Sequence, residues 1–125
     1  MLATGAANMR HAIAQSIAYP SKAIRVLVPF PPGIPLDVIM RVVSQRLSTA
    51  FGQPVVVENR PGAGGNIGTE QAARAAPDGY TLLGTTSGFV ANPSLFSRAG
   101  YDALKDFAPI TGLIRTPAEI GRAHV

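Results

Sequence analysis

The sequence has no cysteine, which excludes disulfides, thiol nucleophiles and zinc sites built on thiolates. Histidine is almost as scarce. The two present, His11 and His124, lie at the extreme ends, so the body lacks an imidazole base for a triad or a metal site. Charge is thin too: 14% of residues are charged and 46% hydrophobic, a balance that suits a packed α/β domain and argues against disorder. The formal charge of +4 comes from 11 basic and 7 acidic residues, scattered with no basic run of three and no aromatic interleaving. No nucleic-acid partner is therefore expected. No apolar run reaches the ~18 residues that span a bilayer, so direct membrane insertion is not expected either. At 125 residues the chain amounts to about one domain.

Catalytic patterns are also missing. Ser87, in Gly84-Thr85-Thr86-Ser87-Gly88, lacks the G-x-S-x-G elbow of hydrolases. Asp37, Glu58, Asp78, Asp102 and Asp106 form no close pair on a helix face and read as capping, turn-forming or solvated residues. Asp37 is the exception, because it lies beside a loop whose amides it can order. The expectation is a protein without catalysis, without a cofactor and without a metal.

The two ends stand apart from the body. Ala12-Ile13-Ala14 has the small-x-small pattern of a signal peptidase site, but Asn8, Arg10 and His11 interrupt the apolar stretch before it. Residues 1–18 thus read as a partial or degenerate export signal, with an unstructured tail as the alternative. Ile120 to Val125 can be encoded by ATC GGA AGA GCA CAC GTC, the opening of a widely used sequencing adapter. Residues 118–125 are expected to be a non-native tail; a natural helical end is the alternative.

Between the ends the chain alternates. Ile24 to Phe30 is nearly continuous in apolar, β-branched residues, as in a strand buried on both faces, and Pro31-Pro32-Gly33 ends it. Pro35 suits a first helical turn, Ile39, Val42, Val43, Leu47, Ala50 and Phe51 recur at helical spacing, and Gly52 fits a C-terminal cap. Pro54 to Glu58 reads as a second strand, Ile67 to Ala75 as an alanine-rich helix, and Tyr80 to Thr85 as a third strand. Asn92 to Phe96 reads as a short helix or turn, Tyr101 to Asp106 as a polar loop, and Phe107 to Ile114 as a further strand. Strand and helix alternating through short connections predict an α/β fold: a mostly parallel sheet with helices on both faces, the crossovers right-handed.

In such a sheet ligands sit beyond the carboxyl ends of the strands. Each strand here runs into an unusual loop at that edge: Pro29 to Asp37, then Asn59 to Gly68, then Thr85 to Gly88. Glycines let backbone amides approach a ligand, and helix N-termini favour anions. Threonine and serine hydroxyls add donors. The alternative is that these are only tight strand-to-helix turns. A dinucleotide-binding enzyme is the other competing class, but Gly62, Gly64 and Gly68 are spaced G-x-G-x-x-x-G, one residue longer than the fingerprint, and no Walker-type lysine follows.

The same loops carry a family resemblance. Tyr19-Pro20-Ser21-Lys22, the segment Pro29-Phe30-Pro31-Pro32-Gly33 through Asp37, the run Glu58 to Gly68, and Ala76 to Leu83 resemble the Bug receptors of tripartite tricarboxylate transporters. Asn92 to Phe96 and Tyr101 through Pro109 extend the likeness. The resemblance implies a two-lobed type II periplasmic binding protein, of which residues 19–117 would be part of the first lobe. It implies a periplasmic location, a small carboxylate ligand, and membrane transporter subunits as partners. It also places Phe30, Gly33, Asp37, Ala63, Gly64, Gly65, Asn66, Thr85, Thr86 and Ser87 at or beside the ligand. One departure stands out: the family usually has Gly-Gly after the prolines, whereas Gly33 is followed here by Ile34 and Pro35, a stiff residue and one without an amide.

Overall fold

The computed structural model describes residues 18–115. The expectations of an export signal in 1–18 and of a foreign tail in 118–125 fall outside that range, apart from residue 18 itself. Three strands form one parallel sheet: β1 (Ile24–Val28), β2 (Val55–Asn59) and β3 (Thr81–Leu83), in the order β2-β1-β3. The register pairs Val28 with Asn59 and Leu27 with Leu83. Three α-helices follow the strands: α1 (Pro35–Phe51), α2 (Asn66–Ala73) and α3 (Gly88–Leu95), with a single 3₁₀ turn, Ala63–Gly65, running into α2.

β1 is central and apolar because both of its faces are covered. Ile24, Val26, Leu27 and Val28 are each at most 1% exposed. Ile24, Val26 and Val28 join Met40, Val55, Leu36 and Leu47 in one cluster under α1. Leu27, pointing the other way by strand alternation, belongs to the opposite face, where α2 lies against β1 and β3. Topology explains the division. The connection through α1 moves outward from β1 to β2, whereas the one through α2 moves back across β1 to β3, so the same right-handed crossover puts the two helices on opposite faces. Burying each large apolar side chain contributes about 1.5–3 kcal/mol.

α1 begins and ends as its sequence predicts. Pro35 occupies the first turn, Ile34 before it is extended (φ −72°, ψ 160°), and Gly52 closes the helix in the left-handed conformation at φ 64°. Ser48 joins this end to the sheet: its carbonyl accepts from the Gly52 N–H and its hydroxyl from the Val55 N–H at 2.8 Å. The apolar stripe is rotated from the expected one. Leu36, Met40, Ser44 and Leu47 face the sheet, while Val42 and Phe51 are exposed. Position along the helix decides this, because the face opposite β1 and β2 has nothing to cover it among the described residues.

Boundaries also shift, β2 by one residue to Val55–Asn59 and others by more. β1 stops at Val28 rather than Phe30, α2 spans Asn66–Ala73 rather than 67–75, and β3 is three residues long. The expected strand over Phe107 to Ile114 is a correction: these residues are irregular, with Ile110 and Ile114 well exposed. β-branched and aromatic composition favours a strand only where a neighbouring edge satisfies its backbone, and no strand pairs with this segment among the described residues. Of the two readings for Asn92 to Phe96, helix is correct as far as Leu95, within α3. The segment from Tyr101 to Asp106 is a compact turn: Asp102 accepts from the Leu104 and Lys105 N–H groups, and Asp106 accepts from the Asp102 N–H at 2.7 Å. No helix among the described residues is long and apolar enough to cross a membrane.

Candidate functional site

All three strands are parallel, so their carboxyl ends share one edge of the sheet, and the loops that follow emerge side by side with that of β1 in the middle. The first of these loops is built around Asp37, which is 2% exposed. One carboxylate oxygen accepts from the Gly33 N–H at 2.9 Å and from Arg41 Nε at 3.0 Å; the other accepts from Asn59 Nδ2 at 2.9 Å. Arg41, Gly33 and Asn59, in that order of effect, hold the Asp37 carboxyl down from the usual 3.8 to about 2. The same Asn59 nitrogen donates to the Phe30 carbonyl at 3.1 Å, and Asn59 Oδ1 accepts from the Arg41 guanidinium at 2.9 Å. Asn59 therefore ties the end of β2 to both limbs of the first loop. The Gly33 amide is consumed by this network and Pro35 has none, which leaves Phe30, Ile34, Leu36 and Asp37 as its N–H groups without an acceptor among the described residues.

The second loop turns left-handed. Gly62, Ala63, Gly64 and Gly65 have φ of 137°, 49°, 65° and 96°, conformations that glycine adopts freely and that cost an alanine about 1–2 kcal/mol. The turn folds the Gly65 and Asn66 N–H groups back onto the Gly62 and Ala63 carbonyls. The Ala63 and Gly64 N–H groups, on exposed residues, have no acceptor among the described residues. Buried Thr69 fixes the far end, donating its hydroxyl to the Gly65 carbonyl at 2.8 Å. Gly68 sets the approach of α2 to the sheet, since a Cβ there would lie 2.6 Å from the Arg60 carbonyl oxygen and 2.9 Å from Pro29.

The third loop passes through Thr85, Thr86 and Ser87 into α3. The three hydroxyls make no hydrogen bond among the described residues, and the Thr86 and Ser87 carbonyls accept from the first turn of α3. α3 then reaches across to the second loop. Asn92, 8% exposed, donates from Nδ2 to the Gly64 carbonyl at 3.0 Å and to Asn66 Oδ1 at 2.8 Å.

The structure brings together most of the expected site residues. Gly33 and Asp37 are hydrogen-bonded to each other. The Phe30 ring sits against Gly65, 3.2 Å from where a Cβ would stand. Gly64 and Asn66 are joined through Asn92, and Ala63 lies between Gly62 and Gly64 in the same turn. Thr85, Thr86 and Ser87 share the edge through β3 but make no side-chain hydrogen bond to the first two loops among the described residues. Three side chains that hold the loops were not singled out from the sequence: Arg41, Asn59 and Asn92. A signal existed for two of them. Asn59 closes a β-branched strand and Asn92 interrupts an apolar stretch, and a polar side chain at a buried position needs a partner.

Comparison with known proteins agrees with this geometry. A profile described as the tripartite tricarboxylate transporter family receptor matches residues 39–121. Among solved structures, the periplasmic binding protein BugD is 44% identical, with a TM-score of 0.71, over 74% of this chain and 31% of that one. An R. palustris protein with adipate is 36% identical, with a TM-score of 0.66, over 69% of this chain and 29% of that one. MatC from Rhodopseudomonas palustris with bound malate is 34% identical, with a TM-score of 0.63, over 73% and 31%. Curated relatives 43% and 46% identical over 74% of this chain are much longer: the chain spans 28% and 29% of their length.

Proposed function

This chain belongs to the tripartite tricarboxylate transporter receptor family, and on that premise we propose that it is part of an extracytoplasmic solute receptor for a small carboxylate. Its fold is that of the periplasmic binding proteins, and the family is one of receptors rather than enzymes. One observation carries the ligand class. Unengaged donors from three loops gather at a single sheet edge: the Ala63 and Gly64 amides, the first turn of α1, and the hydroxyls of Thr85, Thr86 and Ser87. Clustered N–H and O–H donors suit an anion, and Asp37, the acid of the first loop, does not compete for them because its oxygens are occupied by Gly33, Arg41 and Asn59. Malate and adipate in two relatives are both carboxylates, of different chain lengths, which fits a site that grips a carboxyl group and leaves the rest of the ligand to other surfaces.

In this reading Phe30 packs and shapes the pocket floor, Gly33 and Asp37 order the first loop, Ala63 and Gly64 present amide donors with the Asn66 side chain beside them, and Gly65 shapes the turn. Ligand bridging two lobes would stabilise a closed receptor, which then delivers it to membrane transporter subunits without chemical change. A net hydrogen bond to a charged group is worth about 1.5–3 kcal/mol. Three or four in an open half-site, after association entropy, leave binding near millimolar, about −4 kcal/mol. Calorimetry with a panel of di- and tricarboxylates, against NAD and ATP as controls, tests the proposal. Saturable heat from carboxylates alone is expected; saturable nucleotide binding with silent carboxylates would overturn it.

A further inference from the structure

The orientation of a side-chain amide is fixed by what surrounds it, and here one orientation determines the next. The Gly64 carbonyl only accepts, so Asn92 must turn its amino group toward it, as the 3.0 Å contact requires. That same nitrogen lies 2.8 Å from the Asn66 side chain and only donates, so Asn66 must meet it with its carbonyl oxygen. The Asn66 amino group is thereby forced away from α3. Asn66 is 4% exposed, yet its Nδ2 finds no acceptor among the described residues. It is not sealed in either: Ser44 Oγ is the one fully buried, unpartnered side-chain polar atom among the described residues, so Asn66 Nδ2 keeps an opening to solvent.

We propose that Asn92 is a positioning residue that locks the Asn66 amide with its NH₂ group presented to the bound carboxylate. Asn92 touches no ligand in this scheme. It makes the second loop read as donor-only at this point, so that an anion is accepted there and a donor-bearing group refused. The inference rests on the carboxylate-receptor reading above and deepens it by naming what sets the polarity of one contact. It also gives α3 a role, because the helix after the third strand becomes the part that registers the second loop.

Two measurements test it. Titration of the full chain with malate compares Asn66→Ala, Asn92→Ala and the double variant. Each single change is expected to weaken malate about tenfold, and the double change also about tenfold rather than a hundredfold, because Asn92 acts through Asn66. A hundredfold loss in the double variant, or an unaltered affinity in Asn92→Ala, would overturn the proposal. The second measurement needs no ligand. By NMR, the Asn66 side-chain NH₂ should exchange quickly with water while that of Asn92 is protected. Asn92→Asp, which can only accept, should reverse the Asn66 amide and protect its NH₂. A protected Asn66 NH₂ in the unaltered chain overturns the assignment whatever malate does. Silence toward malate combined with the expected exchange pattern would instead count against the carboxylate reading and leave the amide lock standing.

Discussion

Asp37 is a buried carboxylate with no catalytic task, and its role is to hold a loop. Three donors reach it from the first loop, from α1 and from β2. The sign of its pH dependence follows from its lowered pKa. A group whose folded pKa lies near 2 rather than 3.8 contributes fully above the ordinary value and loses that contribution as pH falls through the folded one. Asp78 and Asp102, held low chiefly by the Tyr80 and Leu104 N–H groups, titrate in the same direction. Thermal melts of the unaltered chain should therefore fall between pH 4 and 2, whereas Asp37→Asn should melt lower at neutral pH and show a shallower acid slope. Equal slopes would show that the network does not depend on the charge. Ser44 gives the opposite prediction. Its hydroxyl is buried without a partner among the described residues, so Ser44→Ala should stabilise the fold by about 1 kcal/mol in denaturant melts, and a loss of stability would reveal a partner. At this scale the sequence was informative about Asp37, whose place beside a proline-glycine loop marked it as a loop organiser. For Asn59 and Asn92 it marked a polar side chain in need of a partner but not which one, since their partners lie 18 to 29 residues away and no local pattern records a contact at that distance.

At the scale of elements, the close approach of α2 to β1 depends on Gly68. Any Cβ there meets the Arg60 carbonyl and Pro29 backbone, neither of which can swing aside as a side-chain tip could. Gly68→Ala should cost about 1–3 kcal/mol of stability, read by chemical denaturation, and should disturb the second loop more than α1. A neutral substitution would mean that the helix can lift off the sheet freely. The first two helices and first two strands were legible because their signals are local: Pro35 and Gly52 bracket α1, and three consecutive valines precede Glu58 and Asn59 in β2, whereas the start of α3 at Gly88 was not. Two errors share one cause. Helical spacing in α1 points Val42 and Phe51 inward, and the composition of Phe107 to Ile114 favours a strand, yet the former are exposed and the latter is irregular. In both cases the residue types were right for burial, but burial depends on which neighbour stands opposite, and that is a property of the assembled sheet.

At the scale of the whole molecule, the three loops share one edge because the strands are parallel, and this was readable from the alternation of elements, whereas the order β2-β1-β3 was not. What the sequence did not reveal is how the loops are stitched together, by Asn59 on one side of β1 and by Asn92 across the second loop. The described residues carry well-exposed apolar side chains, including Val90, Leu95, Leu104, Ile110 and Ile114. Exposed apolar groups in this number promote association. Sedimentation of the chain should show mass rising with concentration, and a monomer at all concentrations would contradict that expectation.

The central claim is that these loops face one anionic guest, and amide-resolved NMR during a malate titration tests it most directly. The account predicts that the Ala63, Gly64, Thr85, Thr86 and Ser87 amides move together, with a common midpoint of roughly millimolar malate, while Lys22 and Gly79 at the opposite edge stay still. Shifts confined to that opposite edge, or separate midpoints for the second and third loops, would contradict it.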